Sequence, residues 1–148
     1  AFREDVPEGK YTVDIGKGKK LREGEDVTVI AWGAMVPVAM KAAEAAAKKG
    51  IDADVIDLRT LYPLDKDMIA ESVQKTGRTV IVQEAHATGG LANDILAVIN
   101  DTSFFYQKAP AERVTGFDVP VPFFAHEDDY LPTPARVLHA IEKVMNDS

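Results

Sequence analysis

Cysteine is absent from the 148 residues, which excludes disulfide staples, thiolate metal sites and a cysteine nucleophile. A reducing compartment, either the bacterial cytosol or the mitochondrial matrix, is compatible with that absence. Serine occurs only as Ser72, Ser103 and Ser148, and no G-x-S-x-G elbow surrounds any of them, so a serine-hydrolase reading fails. The three histidines, His86, His126 and His139, have no ligand-like spacing, and a zinc site needs three or four convergent ligands. Neither a GxGxxG nor a GxxxxGK[ST] phosphate loop is present. No apolar run approaches a membrane span, and the first residues have no signal-peptide or transit-peptide character.

Positive charge is also short. Lys plus Arg number 17 against 24 Asp plus Glu, a formal charge of -7 that repels phosphate backbones, argues against nucleic acid and suits a basic protein partner. The same balance also serves ordinary solubility. Glu127-Asp128-Asp129 lacks the glycine and oxygen-ligand spacing of a calcium loop and reads as a solvated loop or docking surface.

What is present is a 46% hydrophobic content, enough for one core. Ala1 to Gly18, with Pro7, Gly9, Gly16 and Gly18, reads as an extended arm, and residues 19–148 as the domain. Lys19 to Arg22 offers a short polar strand. Val27-Thr28-Val29-Ile30-Ala31-Trp32 is a buried strand by composition, followed by an alanine-rich helix over Met35 to Lys49 that Gly50 stops. The pattern recurs: a strand over Ala53 to Leu58, a helix from the Asp65 cap to Gly77, and a strand over Thr79 to Gln83. Gly89-Gly90 then opens a helix with Leu91, Ile95, Val98 and Ile99 on one face, Arg113 to Phe117 forms a last strand, and Thr133-Pro134 caps a closing helix. Strands alternating with helices predict a three-layer, doubly wound α/β sheet of about five mostly parallel strands.

In such a sheet a ligand sits beyond the carboxyl ends of the central strands, where strand order reverses. That points to a crevice at Gly33, Glu84 and His86. Glu84 and His86, two residues apart at a strand's end, are an acid–base candidate; equally, Glu84 serves loop amides or a neighbouring subunit and His86 is an exposed loop residue.

In order and spacing, several segments resemble the C-terminal domain of the β subunit of thiamine-diphosphate-dependent 2-oxo acid dehydrogenases, a transketolase C-terminal-type fold. The carriers are Glu25 to Val36 (EDVTVIAWGAMV), Asp54 to Asp65 (DVIDLRTLYPLD), Lys75 to Glu84 (KTGRTVIVQE), Gly89 to Ala92, Arg113-Val114-Thr115-Gly116 and Leu131-Pro132. DLRTLYPLD is the most diagnostic. The arm Phe2 to Gly9 is similar to the inter-domain link of bacterial pyruvate dehydrogenase β subunits, which favours pyruvate over a branched-chain 2-oxo acid or acetoin.

The resemblance implies one antiparallel edge strand and no cofactor in this domain. Thiamine diphosphate and Mg²⁺ belong to the full enzyme, between its α subunit and the β subunit's N-terminal domain. The Gly-Asp-Gly with a later Asn-Asn that holds the cofactor is absent here, consistent with its α-subunit origin. A small-ligand regulatory module is the alternative.

As partners the resemblance implies the β subunit's N-terminal domain, the α subunit, a second β subunit across a two-fold axis, and the peripheral subunit-binding domain of the dihydrolipoyl acyltransferase. That docking domain is expected to be small and basic. The docking face falls on Phe104 as apolar anchor, Lys108, Glu112 as charge partner, and the C-terminal end at Ser148. Lys108 stands where related bacterial chains carry an acidic residue, and Phe104 with Phe105 also reads as the core end of a helix.

Overall fold

A β-branched run stays a strand when both of its faces are buried, and Val27 to Ala31 obtains that burial at the centre of a five-stranded sheet. The computed structural model describes Asp5, residues 8–122 and residues 126–147. Along the chain come β1 (Lys19–Arg22), β2 (Val27–Ala31), α1 (Met35–Ala47), β3 (Ala53–Asp57), α2 (Lys66–Thr76) and β4 (Thr79–His86). They are followed by α3 (Ala92–Ser103), a 3₁₀ turn (Phe104–Tyr106), β5 (Glu112–Gly116), α4 (Glu127–Tyr130) and α5 (Pro134–Asn146).

The strand order is β1-β3-β2-β4-β5, with β2, β3, β4 and β5 parallel and β1 antiparallel on the edge beside β3. The expected doubly wound α/β sheet with one antiparallel edge strand is the fold found. Alternation along each strand divides the core in two. Val29, Val55, Val80 and Val82 face α1 and α5, where they meet Met35, Ala39, Val137 and Ile141. Ile30, Ile56 and Ile81 face α2 and α3, where they meet Ile69, Val73, Ile95 and Ile99. The alanines of α1 let that helix approach the sheet closely.

Local chemistry sets the helix ends. The Asp65 carboxylate accepts from Met68 N–H at 3.3 Å and, through its other oxygen, from Gly18 N–H at 3.1 Å. One side chain therefore caps α2 and pins the chain entering β1. The Thr60 hydroxyl accepts from Gly16 N–H at 3.1 Å, so the DLRTLYPLD segment is the seat on which residues 16–18 lie. Thr133 caps α5 with Pro134 behind it. Helix α1 ends at Ala47, short of the expected Lys49, because Lys49 and Gly50 N–H groups tighten onto Ala46 and Ala47 carbonyls in a turn.

Candidate functional site

The sheet reverses its strand order between β2 and β4, and Gly33, Glu84 and His86, expected to form a crevice, lie at the carboxyl ends of these strands. Trp32 is half-buried against the α2–α3 side of the core, and Gly33 (φ 55°) is exposed with open space around it. Strand β4 runs on to His86, three residues beyond the expected end, and carries Glu84 exposed on its last turn of pleat. His86 Nε2 lies 2.8 Å from the Val119 carbonyl, and its ring stands edge-on to Tyr130 with centroids 5.9 Å apart. No hydrogen bond joins Glu84 to His86 among the described residues, so the structure places the two at one strand end without making them a pair.

The turn after His86 is built by a residue the sequence reading passed over. Gln83 is fully buried; its Nε2 donates to the His86 carbonyl at 2.7 Å and its Oε1 accepts from Ala92 N–H at 2.9 Å. The close approach of this amide requires glycine at position 90, where a Cβ would come 2.0 Å from Gln83 Nε2. Beside the turn, Thr88 donates its backbone N–H and its hydroxyl to Asp118 at 3.1 and 2.6 Å. These bonds, the hydroxyl's first, hold the Asp118 carboxyl below its ordinary range. His86, Thr88, Asp118, Val119 and Pro120 line a shallow, open cavity of about 490 Å³.

This end does not suit a magnesium diphosphate. Gln83 occupies Ala92 N–H in the first turn of α3, Glu84 and Asp118 present carboxylates, and no metal-binding cluster of His, Asp and Glu exists among the described residues.

The docking candidates lie at the opposite, amino end of the parallel strands. Phe104 and Phe105 cross at 84° with centroids 5.3 Å apart, and Phe105 is 95% exposed. Neither ring is a core residue. With Leu96, Asn100, Gln107 and Lys108–Ala111 they line an open groove of about 630 Å³. Lys108 is already occupied: its backbone N–H meets the Gly77 carbonyl at 2.7 Å and its Nζ the Thr76 carbonyl at 3.2 Å, closing the carboxyl end of α2. Glu112 pairs with Lys143 across β5 and α5, and that bond first, then the carboxylate's charge, raises the lysine's pKa. Because α5 returns antiparallel to β5, its last turn comes down beside Glu112. Ser148 lies outside the described residues.

Beneath this end is a buried ionic cluster centred on Asp54. Its carboxylate accepts from Ser72, from Lys75 at 2.9 Å and from Gly24 N–H at 3.1 Å, with Lys20 at 3.5 Å. Ser72 and Thr76 both bond Thr28, so the cluster ties β1, β2, β3 and α2 together. Asp54 alternates with apolar neighbours in its strand, a signal that gives its position but not its partners.

Exposed apolar side chains gather at both ends. At the carboxyl end stand Ile15, Leu61 and Tyr62 on the side of β3, and Phe117, Val119 and Val121 on the side of β5. Phe104, Phe105 and Tyr106 stand at the amino end.

Residues 16–137 match the family described as the transketolase C-terminal domain. The pyruvate dehydrogenase E1 component subunit beta of Bacillus subtilis strain 168 is 45% identical over 145 residues, covering 98% of this chain and 45% of that protein. The mitochondrial 2-oxoisovalerate dehydrogenase subunit beta of Dictyostelium discoideum is 43% identical over 143 residues, covering 96% of this chain and 38% of that protein. The chain thus spans less than half the length of these curated relatives. A solved split-gene transketolase, an inactive beta4 tetramer, superposes with a TM-score of 0.82 at 30% identity, covering 97% of this chain and 46% of that one.

Proposed function

The chain belongs to the transketolase C-terminal domain family, and from that premise we propose that it is the C-terminal assembly and docking domain of the β subunit of a pyruvate dehydrogenase decarboxylase component. In this reading the oxidative decarboxylation of pyruvate, with thiamine diphosphate and Mg²⁺, takes place in the N-terminal part of the β subunit and the α subunit. Residues 1–18 link the two parts, and residues 19–148 hold the assembly together. The β-subunit relatives and the share of their length covered support this division, as does the poor fit of a diphosphate at the carboxyl end of the sheet.

The observation that carries the docking role is the exposed Phe104–Phe105–Tyr106 patch on a rigid support. A large ring held in water at the end of a helix is stabilising only if a partner covers it. Helix α3 and the Lys108 closure of α2 fix the patch, so little order has to be gained on binding. A second β subunit and the basic peripheral subunit-binding domain of the dihydrolipoyl acyltransferase share this amino end. The chain's formal charge of -7 steers the basic partner. The apolar side chains at the carboxyl end, Tyr62 foremost at 96% exposed, receive the N-terminal part of the β subunit and the α subunit. Bacterial β subunits would place the protein in the cytoplasm.

Calorimetric titration of this chain with the isolated subunit-binding domain tests the reading. Binding that weakens between low and moderate salt is expected. No detectable heat at either salt concentration would remove the docking role. Decarboxylation assays on the reconstituted complex with pyruvate and with 2-oxoisovalerate decide the substrate, and a preference for the branched-chain acid would displace pyruvate.

A further inference from the structure

Strand β5 ends the sheet, and among the described residues its outer side has no strand neighbour. An edge strand presents unpaired N–H and C=O groups to any extended chain that fits. The two edges of this sheet are guarded differently. On β1 Lys20 turns inward, 3.5 Å from the buried Asp54, and Arg22 is paired with Asp52 at 2.9 Å. On β5 the one cation, Arg113, turns to the α3 side, while the α5 side opens into a groove of about 530 Å³ whose other cations come from α5.

That groove has an apolar floor, Val114 and Ala140, both 6% exposed. Its walls are Arg113, Arg136, His139 and Lys143, against the single carboxylate of Glu112. In a chain whose formal charge is -7, this is a local reversal of sign. The two guanidiniums are also held still by backbone oxygens rather than by carboxylates. Arg113 Nη1 donates to the Ala87 carbonyl at 3.0 Å, on the α3 side of the strand. Arg136 Nη2 donates to the Thr115 carbonyl at 2.6 Å on the α5 side, with its guanidinium 4.6 Å above the Phe117 ring. One cation therefore flanks each face of the edge. An extended chain, whose side chains alternate between faces, would meet a positive charge on both.

We propose that the β5–α5 groove is a third interaction surface, which takes an acidic extended segment of a partner polypeptide as a sixth strand along β5. The apolar floor accepts a small aliphatic side chain between carboxylates, and the rigid guanidiniums supply charge-assisted hydrogen bonds at little entropic cost. A second copy of this chain fits poorly, since self-pairing would set Arg113 and Lys143 against their own equivalents. The surface is separate from the aromatic patch and does not depend on the docking role proposed above.

The probe is a blocked peptide of alternating glutamate and valine, about eight residues long to match a strand, titrated into the full chain by fluorescence anisotropy. Saturable binding is expected, with slowed hydrogen exchange at those amides of β5 that exchange fastest in the free chain. The His139→Glu/Lys143→Glu double variant, checked for fold by circular dichroism, should bind about tenfold more weakly. Glu112→Gln, which frees Lys143, should bind more tightly, and Phe105→Ser should bind as the parent does. Equal binding of a lysine–valine peptide, binding without amide protection, unchanged affinity in the double variant, or self-association that the double variant abolishes would each overturn the proposal.

Discussion

Lys75 Nζ stands 2.9 Å from Oδ1 of Asp54, a carboxylate with no exposed surface. Burial alone would raise the Asp54 pKa, but the Ser72 hydroxyl, Lys75, Lys20 and the Gly24 N–H together outweigh it, and the pKa lies below its ordinary 3.8. Lys75 responds in the opposite sense. Burial lowers its pKa, while bonds to Asp54 and Glu23 raise it well above 10.5.

The pH dependence follows from these directions. A carboxyl depressed on folding contributes stability above its unfolded pKa and loses it as pH falls through the folded value, so acid below pH 3.8 undoes Asp54's contribution. A lysine raised on folding contributes fully below its unfolded pKa, and that contribution fades as pH rises above 10.5. Asp54→Asn should cost about 1–3 kcal/mol at neutral pH by urea denaturation, because Lys20 and Lys75 lose their buried counter-charge and keep only exposed partners such as Glu23. It should also flatten the acid limb of the stability profile relative to the parent chain.

Lys108 closes α2 and faces the aromatic groove at once. Lys108→Ala should lower stability by about 0.5–1 kcal/mol through the lost bond to the Thr76 carbonyl. Lys108→Met keeps the aliphatic stem along Gly77 and separates packing from charge. If both variants keep full stability, the capping role is wrong.

Tyr130 is 4% exposed and its hydroxyl has no hydrogen-bond partner among the described residues. It fits only because Gly116 has no side chain: a Cβ there would lie 2.4 Å from the hydroxyl oxygen. Tyr130→Phe should therefore be neutral or stabilising by up to about 1 kcal/mol in thermal unfolding. Gly116→Ala should destabilise by about 2 kcal/mol or more, since the ring must move.

Phe105→Ser removes a ring that buries almost nothing in this chain, so the melting temperature should hold within the range of ordinary surface substitutions, about 0.5 kcal/mol. Affinity for the subunit-binding domain should fall by about tenfold or more, as for a central aromatic anchor. A variant with unchanged affinity would move the anchor elsewhere.

Thiamine diphosphate with Mg²⁺ should leave the thermal unfolding of this chain unchanged. A ligand at a hundredfold its dissociation constant would add about 2.7 kcal/mol, which calorimetry resolves readily.

The sequence by itself determined the architecture. Val29 to Ala31 and Val80 to Val82 are apolar in consecutive positions, and only a strand covered on both faces tolerates that, so parallel strands between two helical layers follow from composition. Asp65, Gly77 and Thr133-Pro134 marked helix ends because capping is chemistry between near neighbours. The rule of strand ends put Gly33, Glu84 and His86 at the carboxyl end of the sheet, where they stand, but the sequence left Phe104 open between a docking anchor and the core end of a helix, and only the fold shows its ring exposed.

Only the tertiary structure decided what those side chains do. Asp54 and Ser72 are 18 residues apart and Glu112 and Lys143 are 31 apart, and nothing local says that they meet. Lys108 becomes a cap of α2 only after the loop beyond α3 returns to Gly77. The three cations of fixed charge in the β5 groove, Arg113, Arg136 and Lys143, read as scattered surface residues until α5 packs beside the edge strand. Periodicity reports which face of an element is apolar; the partner of a buried charge depends on register and crossover, which a linear pattern does not carry.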